Sequence, residues 1–298
     1  MNARRRGLIQ AYIAVIFMGA GITVVQTIPL PPPTLVWYRV AVALPGLLLY
    51  ALIRKSPLAV PKRLWPSVIA VGLLTGLHWI SLFFAITYST VALGMISFYT
   101  FPVFATLLEA FIQKRKPLTR DLIVTVITLG GVILLTPLTG ASKDYLPGVF
   151  IGMLSATLWA GRVVLVHHRL KELPGISTML WSLTVIVLGL SPLTLQAPPP
   201  WQWQASTLYG VLFLGLFVTA LCHTILLSSL RNISATLMGQ ISPVQIVSAS
   251  IVGWLALQEP LTPRIIIGGS LIAFTGLIAA KFFTDKPATS RRNLRQPH

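Results

Sequence analysis

Acidic residues are scarce: Asp and Glu together number 6 in 298, and charged residues of both signs make up only 10% of the chain. Soluble domains carry roughly a quarter charged residues. This chain therefore cannot make a wetted surface all round and has to face lipid. Its single cysteine, Cys222, lies in an apolar run and excludes both an internal disulfide and a cysteine-rich metal site. H-E-x-x-H, G-x-S-x-G and P-loop sequences are absent, and no paired carboxylates meet in one apolar segment. Embedded hydrolase or protease chemistry and ATP-driven pumping are thus disfavoured. No catalytic residue, metal or cofactor is expected. The formal charge of +17 sits in short clusters between apolar runs, not in a helical stripe or an aromatic-interleaved patch, so nucleic acid is not an expected partner.

What remains is apolar sequence, 55% hydrophobic with a mean hydropathy of +0.80. A hydrocarbon core needs roughly 20 helical residues to cross. On that measure the chain divides into ten spans: 8–27, 34–53, 64–85, 90–112, 121–138, 147–167, 175–194, 206–228, 234–257 and 264–283. Proline- and glycine-bearing breaks separate most of them, among them IPLPPP, RKSPLAVPKR, KRKPLTR and QAPPPWQWQ. Two joints, TYST at 87–90 and LRNIS at 230–234, are only polar and predict short hairpins. The basic start MNARRR resembles a signal-peptide head, but its apolar body is long enough to span and no A-x-A-like site follows, so it reads as a retained first span. Most of the 23 Lys and Arg fall between spans on one side, including Arg4, Arg54, Arg63, Lys114, Arg120, Lys171 and Arg231, whereas Lys143 and Arg264 fall on the other. That bias predicts both termini in the cytoplasm, with Trp201 and Trp203 at the outer interface.

One stretch occurs twice. ALGMISFYTFPVFATLLEAFIQKRKPLTR, from Ala92, returns in altered form as ATLMGQISPVQIVSASIVGWLALQEPLTPR, from Ala235. Each is a long apolar segment interrupted by a proline (Pro102, Pro243) and closed by Pro-Leu-Thr and an arginine. Five spans per half is an odd number, so the second half must enter the bilayer upside down relative to the first. The expected fold is all-α and integral to the membrane, ten transmembrane helices in two inverted five-helix repeats over 8–138 and 146–283, with a basic cytoplasmic tail over 284–298. Transporters of that design place the substrate near the midplane, between repeats.

The two stretches FFAITYSTVALGMISFYTFPVFATLLEAF and LLSSLRNISATLMGQISPVQIVSASIVGWLALQEPLT resemble the third-to-fourth-span signature of EamA-type domains: a small-residue hairpin, an alanine, a mid-helix proline and an acid near the helix end. Gly19 with Gly161, Trp159, Arg39, and Gly131 with Gly276 repeat the likeness over about residues 8–283. The chain thus resembles the drug/metabolite transporter superfamily, and most of all its YddG-type amino-acid exporters. The first half ends KRKPLT where the second ends QEPLT, so Glu259 has no counterpart. The resemblance implies a multi-pass protein of the bacterial inner membrane that exports small metabolites by alternating access. The expected partners are the substrate and the lipid bilayer, the chain acting as a monomer.

Polar and aromatic residues deep in spans mark the candidate site, because such groups are costly in lipid and face cavities or partners. His78 and Trp79 in span 3, Tyr99 in span 4, Trp159 in span 6, His223 in span 8, and Gln240, Ser242 and Gln245 in span 9 are candidates for substrate binding, with Phe17, Phe98 and Phe101 completing an apolar wall. Arg39 could grip a carboxylate through its fork or snorkel outward. Arg162 is expected to snorkel at the inner end of span 6, and Glu109 to pair with Lys114 or Arg115. Pro102 and Pro243 free backbone carbonyls at membrane depth and are expected hinges. Span 1 carries Thr23 and Gln26 but no glutamate, which removes the carboxylate of small multidrug pumps. The expected function is export of neutral or aromatic amino acids and related zwitterions. Proton-coupled export of lipophilic drugs or amines is one alternative, and a membrane-embedded enzyme using His78 is another.

Overall fold

The computed structural model describes residues 2–25, 27–89, 91–135, 145–194, 199–258 and 262–282. Gln26, Glu259 and the tail over 284–298 lie outside the described residues. Every regular element is helical, with no strand among the described residues. The long helices are α1 (Ala3–Val25), α2 (Pro32–Ile53), α3 (Trp65–Thr87), α6 (Thr119–Leu135), α7 (Leu146–Arg169), α8 (Gly175–Leu190) and α13 (Pro263–Phe282). The fourth span is two helices, α4 (Val91–Phe98) and α5 (Phe101–Ile112). The ninth is likewise α11 (Ala235–Ile241) and α12 (Val244–Leu257). The eighth runs through α9 (Ala205–Leu212), a π-helical stretch Phe213–Cys222 and α10 (His223–Ser229). Eight of these units are long and apolar enough to cross a membrane; α8 is apolar but shorter. The protein is an all-α membrane protein.

The chain's punctuation explains the ends. Proline occupies the first helical turn of α2, α3, α5 and α7, where its missing N–H removes a donor the helix would leave unpaired anyway. Ser234 caps α11 by accepting from Leu237 N at 3.2 Å. Lys55, Lys114 and Gln258 take left-handed φ values of 48°, 51° and 56° where α2, α5 and α12 stop, the conformation that turns a chain off a helix end. Both mid-span prolines sit at breaks: Pro102 in the first turn of α5 and Pro243 at the N-cap of α12.

Packing crosses between the halves of the chain. α3 lies along α7, α1 along α12 and α10, α2 along α8, and α6 along α13. The registers run in opposite senses. Trp37 Nε1 near the start of α2 donates to the Val187 carbonyl near the end of α8, at 3.2 Å, while Ser177 near the start of α8 bonds the Pro57 carbonyl just past α2. Thr128 and Thr275 join α6 to α13 through their hydroxyls at 2.9 Å. The α3–α4–α7 contact depends on missing side chains: a Cβ on Gly148 would stand 2.6 Å from Ser89 Cβ, and one on Gly152 2.5 Å from Ser97 Cβ. Such close approach of backbones is how membrane helices associate without a hydrophobic driving force. Outward-facing apolar side chains, including Phe111, Val126, Leu188 and Leu277, form the lipid-facing surface.

Candidate functional site

Five aromatic and cationic side chains stack through the middle of the bundle. The Arg39 guanidinium (α2) lies 4.3 Å from the centre of the Trp79 ring (α3). Trp79 stacks on His223 (α10) at 5.2 Å, and His223 stands 5.9 Å from Trp159 (α7). Arg162, one turn further along α7, covers Trp159 at 4.5 Å. Cation–π contacts strengthen where water is excluded, and here Arg39 is 4% and Arg162 0% exposed. Beside this stack His78 touches both Phe98 (5.0 Å) and Trp159 (4.8 Å).

Hydrogen bonding differs sharply along the stack. His78 Nδ1 lies 2.8 Å from Ser155 Oγ, whose hydroxyl in turn donates to the His78 carbonyl at 3.0 Å, so α3 and α7 lock together here. Arg39 Nε donates to Thr219 Oγ1 at 2.9 Å. Arg162 reaches only the sulfur of Met179, at 3.9 Å, and its Nε and Nη1 have no partner. Both His223 nitrogens, Trp159 Nε1 and Tyr99 Oη are buried and unpartnered. Among the described residues no carboxylate forms an ion pair with either arginine. The centre of the protein thus holds two charges without a counter-charge and several idle polar atoms.

A cavity of about 90 Å³ opens beside the stack, lined by Arg39, His78, Trp79, Trp159 and His223 with Phe98, Met95 and Gln245. It extends along Val25, Phe83 and Ile86, at the ends of α1 and α3. Of the sequence-derived candidates, these six polar or aromatic groups converge: Arg39, His78, Trp79, Trp159, His223 and Gln245. Three others do not line this space. Tyr99 packs against Phe98 and Phe101. Gln240 is fully buried and donates to the Asp121 carbonyl at 3.2 Å, and Ser242 bonds back to Met238 within its own helix. Phe17 is not part of the aromatic wall; it meets Phe217 at the half-exposed outer face.

Two expectations are corrected. Arg162 does not snorkel, because the α7 face that carries Trp159 also carries it, one turn on, into the core. Glu109 pairs with neither Lys114 nor Arg115: it faces inward, accepting from Thr236 N at 2.6 Å and from the Thr236 hydroxyl. Sequence reading also missed Thr219, the partner of Arg39. It sits in the π-helical stretch, where the extra residue per turn shifts the register of span 8, and such stretches are frequent at functional sites. Nothing in the local composition announces that shift.

A family model described as the EamA-like transporter family matches residues 5–136 and again 146–280. The chain belongs to that family. It is 27% identical over 250 residues to the pseudopaline exporter CntI of Pseudomonas aeruginosa, covering 82% of this chain and 84% of that protein. It is also 23% identical to the uncharacterized transporter YoaV of Bacillus subtilis, over 82% of this chain and 85% of that one. A crystal structure of another protein superposes with a TM-score of 0.79 at 18% identity, covering 92% of this chain and 98% of that chain. The fold is therefore shared with a solved structure, and this EamA-family chain is a multi-pass membrane transporter.

Proposed function

We propose that this EamA-family transporter exports small metabolites bearing a carboxylate, chiefly neutral and aromatic amino acids and related zwitterions, by alternating access. The observation that carries this is the pair of buried guanidinium groups, Arg39 and Arg162, stacked on tryptophans without a carboxylate partner. A buried charge is costly until paired. A substrate carboxylate arriving at Arg39 supplies that pairing, and Arg's planar fork suits it. Trp79, Trp159 and Phe98 offer an aromatic bed for the side chain, and the Gln245 amide can accept from the substrate ammonium through its oxygen. A lipophilic cation finds no acid among the described residues that line this cavity. The CntI relative, named an exporter, supports outward transport of metabolites, and the YddG-type likeness supports amino acids.

Support for the inverted-repeat reading comes from the opposed course of α2 against α8 and of α6 against α13, where Thr128 meets Thr275 and Gly131, further on, faces Ile272 and Gly268, together with the twofold family match. The repeats are 8–138 and 146–283, and the tail over 284–298 lies in the cytoplasm. In a bacterial inner membrane with both termini cytoplasmic, the Val25 and Ile86 end of the cavity faces outward. Pro102 and Pro243, at the two mid-span breaks, are the hinges about which the inner ends separate. The deciding experiment is counterflow of labelled amino acids into proteoliposomes of purified protein, with and without a pH gradient. Chemically unchanged amino acid crossing the bilayer supports export; a modified product or movement of lipophilic cations alone refutes it.

A further inference from the structure

Away from the cavity, at the Arg169 end of α7, three metal-capable groups converge. Glu109 of α5 is 1% exposed, and the His167 and His168 side chains are 19% and 23% exposed. One Glu109 oxygen, Oε2, is taken by Thr236. The other, Oε1, lies 3.8 Å from His167 Nε2 and 3.7 Å from His168 Nε2, with Gln113 Nε2 at 3.4 Å. The carboxylate oxygen and the two imidazole nitrogens all fall within 4.8 Å of one another.

The two histidine separations are too long for N–H···O bonds, so only Gln113 donates to Oε1. Tetrahedral donors bound at zinc distances stand roughly 3.3–3.6 Å apart, so a small inward turn of the rings closes the set around an ion. Two further contacts prepare it. His167 Nδ1 is 2.9 Å from the Leu230 carbonyl; a carbonyl only accepts, so in the neutral ring the proton is on Nδ1 and Nε2 points its lone pair at Oε1. His168 Nε2 is buried and has no hydrogen-bond partner. A carbonyl holding one ligating histidine and a hydroxyl holding the ligating carboxylate are the usual outer partners of a metal site.

We propose that Glu109 Oε1, His167 Nε2 and His168 Nε2 bind a divalent transition-metal ion of the zinc class. Two imidazoles and one carboxylate suit Zn²⁺ and its neighbours better than Ca²⁺ or Mg²⁺, which want oxygen alone. Three protein ligands leave one coordination position for water. The ion ties α5 of the first half to α7 of the second and, through Thr236, to α11, bracing one end of the bundle. Sequence spacing gave no hint of it, because Glu109 and the two histidines are joined only by the fold.

The test uses full-length, untagged, metal-stripped protein in detergent, titrated with Co²⁺ and then Zn²⁺. One equivalent of Co²⁺ with visible d–d absorption, displaced by Zn²⁺, is expected. His168→Asn or His167→Asn should weaken binding by more than the roughly 10–100-fold that loss of an outer partner alone costs. Glu109→Gln should do the same but can also loosen the Thr236 contact, so the histidine variants decide. Absence of stoichiometric uptake up to about 100 µM metal, a weak affinity by any measure, overturns the proposal. So does uptake unchanged in His168→Asn, which would place the ion elsewhere on the protein.

Discussion

Replacing Arg39 with methionine separates its charge from its bulk. The methionine fills much of the same volume against Trp79 but removes the guanidinium stacked 4.3 Å above the ring and its 2.9 Å bond to Thr219. Two unit charges about 4 Å apart interact by roughly 4 kcal/mol at an effective dielectric of 20. After desolvation, hydrogen bonds to charged groups retain about 1.5–3 kcal/mol. At 1.4 kcal/mol per decade this is about 10–150-fold in affinity. The sharp readout is a ratio: affinity for an amino acid over its amide, which lacks the carboxylate, measured by competition in counterflow. Wild type should favour the acid by that factor, and Arg39→Met should bring the ratio close to one. Thermal stability should hold or rise, since the lost group is a charge 4% exposed with no ionic partner. Arg39→Met with an undiminished acid-to-amide ratio would refute a carboxylate at Arg39.

Ser155→Ala should cost about 0.5–1.5 kcal/mol, because His78 Nδ1 loses its 2.8 Å hydroxyl partner and keeps the Ser155 carbonyl at 3.2 Å; a thermal melt in detergent would show it. Gly130→Ala and Gly131→Ala should part company. At Gly130 nothing lies within 4 Å of a new Cβ, so about 0.5–1 kcal/mol of helix stabilisation is expected. At Gly131 the Cβ would meet Ile272 Cγ1 at 2.9 Å and the Gly268 carbonyl at 3.1 Å, which loosens α6 from α13 and lowers the melting temperature. Pro243→Ala, by permitting α11 and α12 to fuse, should slow transport several-fold while substrate affinity in equilibrium binding stays within about twofold.

The helices were readable because bilayer thickness imposes one length and proline marks the interruptions. Even the splitting of spans 4 and 9 follows from Pro102 and Pro243. Boundaries differ where charged residues enter a helix: hydropathy begins span 1 at residue 8, whereas α1 begins at Ala3, its Arg4 held by the Ala280 carbonyl at 2.6 Å. Polar and aromatic residues in the interior of apolar runs are also legible, and six of those candidates meet around one cavity. Rotation about the helix axis is not legible. Arg162 and Trp159 share one inward face, Phe17 points out, and Gln240 turns toward α6; hydropathy that is uniform around a membrane helix carries no phase to distinguish these. The π-helical stretch adds a second loss, since it rotates everything after Phe213 relative to an ideal helix.

The placement of α1 bears on how the protein is made. Its main neighbours are α12, α10 and the π-helical stretch, all from the far half of the chain. A nascent first helix therefore waits in lipid, its Gly19 face uncovered, until the ribosome has passed residue 248, whose side chain it will touch. Translation halted after the first repeat would release a set of helices still missing the surfaces they were shaped to meet.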